Sequence, residues 1–413
     1  MTVDLLLVGN GPGELTGWIH PVASVARQLA PTDLRLTLVL SPTQFAGGRE
    51  VDVVKSWALF DHIVTPPEVT RLVLGVGTIP IGPQASVIHL GGDLWFSARI
   101  ARRLGAPAGA FAETPLILRR HQAFVRIFAA SEDLAAHLRA HGVSAERITV
   151  TGDPRVDAVL GGPHPRRRAP LPSRLPMEAS ASSAGGANAG EERVAILAGS
   201  RDRYFRALIP YFMRAASAIA TRRPGVTFDV ITAEFLSPEV ITAMQQDIRQ
   251  RWPELRVVWV REDPWDVLTR ADLTLTIPGT NTVELAILGV PFAVIVPIDL
   301  LDEVPTEGLL EYVGRLPGLG RLIKREAVRR FFARPRLVAL PNLRAGRAIV
   351  PEWIGRWTPS ELANRVGELL DDAPRRAAMQ AALRQVYPAS GGAAGMIAEQ
   401  ALALARTRRV ERS

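Results

Sequence analysis

LLLVGNGPGELTGWIHP (Leu5–Pro21) passes from a strand-like apolar run through Gly9, Gly11 and Gly13 into a helical pattern, the way a phosphate-binding βα turn is written. Three features separate it from a dinucleotide turn. Glu14 stands where the third fingerprint glycine belongs. The second strand-like run, LRLTLVL, ends in Ser41 and Pro42 rather than in an acid that would hold a ribose. Glu14 would also sit beside any pyrophosphate placed in the turn. The stretch therefore opens an α/β unit without being a nicotinamide-dinucleotide site. It brings Asn10, Glu14 and His20 to the strand ends, where Glu14 or His20 could orient or deprotonate an acceptor hydroxyl. The structural alternatives are a helix-capping carboxylate for Glu14 and an ordinary non-catalytic place for His20.

Outward from this turn, short β-rich runs alternate with helical patterns: VDLLLV, LRLTLVL, SVIHLGG, AGAFAE, VRIFAA and RITVTG. Runs apolar on both faces suit parallel strands covered by helices. A second series begins at RVAILAGS and continues through VTFDVITAE, LRVVWV, DLTLTI and PFAVIV. The expected architecture is two Rossmann-like, doubly wound α/β domains facing a cleft, with closing C-terminal helices. The boundaries read as residues 1–160, a linker over 161–192 rich in Pro, Ser, Gly and Ala, a second domain over 193–357, and closing helices with a basic tail over 358–413. In the helix after LAGSR, Phe205, Leu208, Ile209, Phe212, Met213, Ala216 and Ile219 recur at three- and four-residue spacings and mark one buried stripe.

At 413 residues, with 47% hydrophobic and 22% charged residues, the chain reads as an ordinary multidomain globular protein. It has no cysteine, which excludes disulfides, thiolate metal sites and cysteine nucleophiles. No basic leader precedes the first apolar run, and the longest apolar stretch, Leu285 to Ile298, is broken by Gly289, Pro291 and Pro297, so no membrane span is expected. The net charge of +8 is almost wholly arginine, since Lys55 and Lys324 are the only lysines; acidic partners and a genomic composition bias explain that equally well.

The second series carries the stronger chemistry. LAGSRDRYF places Gly199, Ser200 and Arg201 where a strand meets a helix, and backbone amides and the helix dipole attract phosphate at such a junction. TIPGTNTVELAILGVP repeats the arrangement. Pro278 and Gly279 turn the chain, Thr280, Asn281 and Thr282 start a helix, and Glu284 in its first turn could accept from both hydroxyls of a ribose. Helix capping accounts for Ser200 or Thr280 singly; two such starts in one domain point to a nucleotide diphosphate.

LPNLRAGRAIVPEW, near the C-terminus, closely resembles the LPNLLAGR…VPEF signature of the lipid-A-disaccharide synthases, glycosyltransferases of the two-domain GT-B fold. LAGSR is similar to that family's LPGSR, PGTNTVELAILGVPFAVIV to SGTATLEAALLGVPMVVVY, TGDPRVDAV to GHPLVD, and VGNGPGEL to AGEASGDL, in order from Val8 to about Gly355. The resemblance implies transfer of a sugar from a UDP-sugar to a lipid-linked acceptor at the cytoplasmic face of the membrane, with no metal and no cofactor beyond the donor. It implies that Arg201, Glu284 and Asn342 hold the UDP with help from Gly279 and Thr280, and that the opening turn belongs to the acceptor half. The chain departs from the family at several points. Asn10 replaces a glutamate, Glu14 an aspartate, and Asp153 the histidine of GHP. LGGDLWFS stands for GIDAPDFN, and AFAETPLIL replaces a tryptophan-rich stretch. Asp93, at the end of SVIHLGG, is the leading candidate for the general base, with a helix N-cap as its structural alternative, and Glu113 is a second candidate by the same logic.

RLIKREAVRRFFARPR (Arg321–Arg336) carries seven basic residues against one Glu326, with Phe331 and Phe332 among them, and suits either an anionic membrane surface or a solvated face. A homodimer is compatible with the sequence. Nucleic acid is not an expected partner, because the arginines are scattered rather than gathered in a binding module. Two competing readings remain: a non-hydrolysing UDP-sugar epimerase of similar fold, and a non-catalytic, membrane-associated nucleotide-sugar-binding protein.

Overall fold

β1 (Val3–Gly9) is buried at every residue, which requires neighbours on both edges and helices on both faces. The computed structural model describes residues 2–43, 48–161, 192–300, 337–388 and 390–407, and supplies both. β1 pairs in parallel with β2 (Leu34–Leu40) on one side and β4 (Ala85–His89) on the other. With β3 (His62–Val64), β5 (Ala108–Ala112), β6 (Arg126–Ala129) and β7 (Ile148–Val150), the sheet runs β3-β2-β1-β4-β5-β6-β7. The second sheet runs β10-β9-β8-β11-β12-β13, again parallel throughout. Its strands are β8 (Arg193–Leu197), β9 (Thr227–Ile231), β10 (Val257–Val260), β11 (Leu273–Thr276), β12 (Phe292–Pro297) and β13 (Glu352–Gly355).

Both orders reverse direction once, between β1 and β4 and between β8 and β11. In open parallel sheets the loops leaving the strands part at that reversal and leave a crevice at the carboxyl ends. The expected Rossmann-like α/β class therefore holds for each sheet.

The chain divides into two compact units, Met1–Pro165 with Ala389–Ser413, and Arg166–Pro388. The closing helices expected over 358–413 are thus not one terminal block. Helices Pro359–Asp371 and Ala373–Val386 belong to the second unit, and the first packs on the long helix Asp202–Arg222. Helix Ala393–Arg406 returns to the first unit. There Ser86 Oγ donates to the Ala401 carbonyl at 2.9 Å, and the Asp157 carboxylate accepts from the Gly392 and Ala394 amides. The stripe from Phe205 to Ile219 is buried at all seven expected positions.

Except for its ends Gly161 and Glu192, the expected linker lies outside the described residues, as does the basic stretch Arg321–Arg336. Among the described residues, no helix is long and apolar enough to cross a membrane.

Candidate functional site

In the first unit the loops leaving β1 and β4 are tied together by one carboxylate. Glu14 Oε2 accepts from the Asn10 and Gly11 amides at 2.9 and 3.2 Å, and Oε1 accepts from the Gly92 amide at 3.0 Å. Contact is so close that a Cβ on Gly91 would lie 2.3 Å from Glu14 Cδ. Gly92 adopts φ +81° with Ser41 Oγ and Asn10 Nδ2 packed where a side chain would begin. Amides that would cradle a phosphate in a dinucleotide turn already serve an internal acceptor, and Glu14 braces the two loops.

His20 is 8% exposed, with its ring edge-on to Trp57 at 5.0 Å and its Nδ1 3.5 Å from Ser24 Oγ, so it packs into the unit. Asp93 caps helix Leu94–Leu104 through Oδ1, which accepts from the Trp95 amide at 2.8 Å; its Oδ2 has no partner among the described residues, and the residue is exposed. Below it, at the end of β4, His89 is buried against Ser97 Oγ at 2.8 Å. Burial pushes the imidazole down to about 4 against the opposing pull of the Asp93 charge, so it stays neutral near pH 7.

Glu113 follows β5 and forms an ion pair with Arg155, whose guanidinium is 2% exposed. Arg155 Nε lies 2.9 and 3.1 Å from the two Asp153 oxygens, and its Nη2 lies 2.6 Å from Oδ2. Trp18 Nε1 donates to Asp153 Oδ1 at 3.0 Å, and the Arg155 Cζ lies 4.9 Å from the Trp18 ring centroid. A Cβ at Gly17 would meet Arg155 Cγ at 2.6 Å, so the helical turn Leu15–Ile19, which is π-wound, leaves room for this arginine. Burial would raise the Asp153 carboxyl, but the charge and hydrogen bonds of Arg155, with the Trp18 N–H, hold it below the usual carboxylate range. Sequence reasoning noted Asp153 as a lone replacement and missed Arg155 and Trp18. The signal was present in DPR, where a charge of each sign enters one motif.

In the second unit the loops after β8 and β11 also meet. Gly199, at φ +101°, lies so close to Ile277 of the other loop that a Cβ would stand 3.2 Å from its Cδ1. Arg201 is the N-cap of helix Asp202–Arg222 and makes no capping hydrogen bond with its own side chain, and its Cζ lies 5.8 Å from the Tyr204 ring centroid. Thr280, the N-cap of helix Asn281–Leu288, likewise makes no capping hydrogen bond with its own side chain, and Glu284 is half-buried in the first turn. Gly199, Ser200, Arg201, Gly279, Thr280 and Glu284 therefore flank one switch point.

The other expected ligands in this unit have different work. Thr282 is fully buried, and its hydroxyl donates to the Gly279 carbonyl at 2.7 Å; Asn281 Nδ2 donates to Thr276 Oγ1. Both shape the turn. Asn342 is also fully buried. Its Oδ1 accepts from the Ile349 and Val350 amides at 2.8 and 3.0 Å, and its Nδ2 donates to the Val350 carbonyl at 2.9 Å and to Glu352 Oε1 at 2.7 Å. Glu352 in turn accepts from the Val338 and Ala339 amides. The LPN and VPE ends of the signature are thus the two halves of one lock, in which both polar side-chain atoms of Asn342 are partnered.

Among the described residues, no group of three or more His, Asp or Glu side chains could hold a metal ion.

The sequence profile of the lipid-A-disaccharide synthetase family matches residues 173–309. Lipid-A-disaccharide synthases from Burkholderia pseudomallei and Anaeromyxobacter are 31% and 30% identical over 227 and 246 residues. Over these residues the chain is similar to the lipid-A-disaccharide synthases. Those matches cover 52% and 59% of this chain and 52% and 56% of the relatives, so the chain spans about half the length of the curated relatives it matches. Among solved structures, the UDP-bound Staphylococcus aureus MnaA has a TM-score of 0.53 at 14% identity, covering 96% of this chain and 95% of that one. The UDP-N-acetylglucosamine 2-epimerase of Neisseria meningitidis has a TM-score of 0.51 at 14% identity, covering 97% and 100%. At that identity the likeness is one of fold.

Proposed function

We propose that the chain transfers a sugar from a UDP-sugar to a lipid-linked acceptor at the inner face of the cytoplasmic membrane. One observation carries the reading: the motifs that resemble the family's nucleotide side, Gly199–Arg201 and Gly279–Glu284, fall on the two loops that flank the β8/β11 switch point. In this reading the diphosphate rests against the helix starts at Arg201 and Thr280, where amide dipoles and the guanidinium offset its charge. Glu284 accepts from the ribose hydroxyls, and Gly199, Ser200 and Gly279 let the backbone approach.

For the transfer itself, an acceptor hydroxyl oxygen attacks the anomeric carbon while the bond from that carbon to UDP breaks. UDP leaves with the electron pair, and the hydroxyl proton passes to a carboxylate. Asp93 is the group assigned to take it, because Oδ1 is anchored at the Trp95 amide and Oδ2 is left open. Glu14 holds Gly92, and with it the approach to Asp93, in place.

The test is UDP release and product analysis with a UDP-sugar and membrane lipids as acceptors. Lipid-dependent UDP release that falls at least a hundredfold in Asp93→Ala is the expected result. Epimerisation of UDP-N-acetylglucosamine with no lipid present would replace the proposal with the epimerase reading. Glu284→Ala should also abolish a UDP-induced rise in melting temperature; an unchanged rise would remove the ribose assignment.

A further inference from the structure

Asp93 ends a four-residue loop, 90–93, that contains Gly91 and Gly92 and so has little side chain of its own to fix its course. Ties from outside fix it instead. On the β1 side the Val8 carbonyl accepts from the Leu90 and Gly91 amides at 2.9 and 3.1 Å, and Glu14 accepts from the Gly92 amide at 3.0 Å. On the helix side a buried pair closes the loop. His89, the last residue of β4, places Nδ1 2.8 Å from Oγ of Ser97, in the first turn of helix Leu94–Leu104, and the two residues are 5% and 0% exposed. The imidazole is seated in turn with its centroid 6.1 Å from the ring of Phe124, which is fully buried.

The spacing gives this bond its leverage. Residues 93 and 97 are four apart, so Ser97 lies one turn below Asp93 on the same side of the helix. Tying Ser97 to the end of β4 sets both how far along the strand the helix begins and which way that side turns. The Asp93 carboxylate follows, because its Oδ1 is anchored on the Trp95 amide of the same turn. A bond between a buried hydroxyl and an imidazole adds little to stability over an apolar pair of the same shape, but it has a direction that an apolar pair lacks. Burial keeps the ring neutral near pH 7, so the tie joins uncharged groups there.

We propose that His89 and Ser97 are positioning residues for the transfer, their bond holding the first helical turn against the end of β4 and so aiming the open oxygen of Asp93. The proposal rests on the sugar-transfer reading above, in which Asp93 takes the proton, and adds the groups that direct it. Misplacing a reacting group by about 1 Å costs on the order of a hundredfold in rate, so turnover is the sensitive readout.

Ser97→Ala removes the tie and little else. It is tested by lipid-dependent UDP release, with an extract of membrane lipids as acceptor and the UDP-sugar that the parent protein turns over as donor. In Ser97→Ala kcat should fall at least tenfold, with KM for the UDP-sugar unchanged within twofold. His89→Leu should behave alike, whereas His89→Gln, whose amide oxygen can accept from the Ser97 hydroxyl, should keep kcat within threefold of the parent. In an Asp93→Ala background, Ser97→Ala should lower the remaining rate by less than twofold, because the pair acts only through that carboxylate. Hydrogen exchange of the β1 and β5 peptides within twofold of the parent shows that the variants are folded.

An unchanged kcat in Ser97→Ala overturns the proposal. So does a tenfold loss that persists without Asp93, or a His89→Gln as slow as His89→Leu. Each of those results leaves the sugar-transfer reading standing, whereas a parent protein that releases no UDP in response to lipid removes both.

Discussion

The two switch points share a topology and differ in what fills it. Between β1 and β4 the loop amides of Asn10, Gly11 and Gly92 are taken by Glu14, and the strand ends beyond present carboxylates. Between β8 and β11 the turn is braced by neutral groups, Thr282 on the Gly279 carbonyl and Asn281 on Thr276, while two helix starts whose N-cap side chains make no capping hydrogen bond stand beside Arg201. One scaffold thus yields an acceptor-rich face suited to hydroxyl donors and a donor-rich face suited to phosphate. The difference lies in which loop carries an internal anion, since a carboxylate of the fold's own excludes the anion of a ligand.

The sharpest way to break the first face is Arg155→Leu. It leaves the Asp153 carboxylate buried without its counter-ion, and chemical denaturation should show a loss of about 3 to 5 kcal/mol. Adding Asp153→His, so that the family's own pair stands there, should recover more than half of that loss. Strict additivity of the two changes would show that the pair is not coupled.

Acid should separate the units. His89 is held neutral in the fold, with its value lowered from 6.5 to about 4, so below pH 6.5 the unfolded chain binds a proton that the folded unit refuses. Its contribution is complete above pH 6.5 and is lost as pH falls toward 4, about 3 kcal/mol in all. Asp153, also lowered, loses stability in the same direction at lower pH. In the second unit burial raises the carboxyl of Asp229, more than Arg193 lowers it, so its contribution improves as pH falls through that raised value. Hydrogen exchange followed by peptide between pH 6.5 and 4 should show the β1–β7 sheet opening first. His89→Gln should flatten that dependence, and equal protection loss in both sheets would contradict the assignment.

Asn342→Leu sharpens the second face. It strands the Ile349 and Val350 amides and should cost about 2 to 3 kcal/mol, while the folded protein keeps its UDP affinity within about threefold. A tenfold or larger loss of affinity in folded protein would restore Asn342 as a ligand. Glu14→Gln is the milder probe of the brace. One of its side-chain atoms becomes a donor facing an amide, so a loss of about 1 to 2 kcal/mol is expected by thermal denaturation.

Much of the fold was legible because buried parallel strands are apolar on both faces, and eleven of the thirteen strands among the described residues coincide with runs picked out by that pattern. The two that escaped are short edge strands: β3, half-exposed over three residues, and β13, read only as part of the signature around Trp353. The glycine turns were legible as sites of close approach. What approaches them was not, because Glu14 meets Gly92 across 78 residues of sequence and Arg155 meets Glu113 across 42. Asn342 is a related case, because the LPN and VPE stretches close an internal hydrogen-bond lock that looks in sequence like a ligand set.

The nucleotide face carries the central claim, and calorimetric titration of UDP into the full-length protein tests it most directly. Saturable binding is expected, weakened about tenfold or more by Arg201→Ala with the melting temperature of the free protein nearly unchanged. No heat of binding at millimolar UDP, or an affinity indifferent to Arg201, would contradict it.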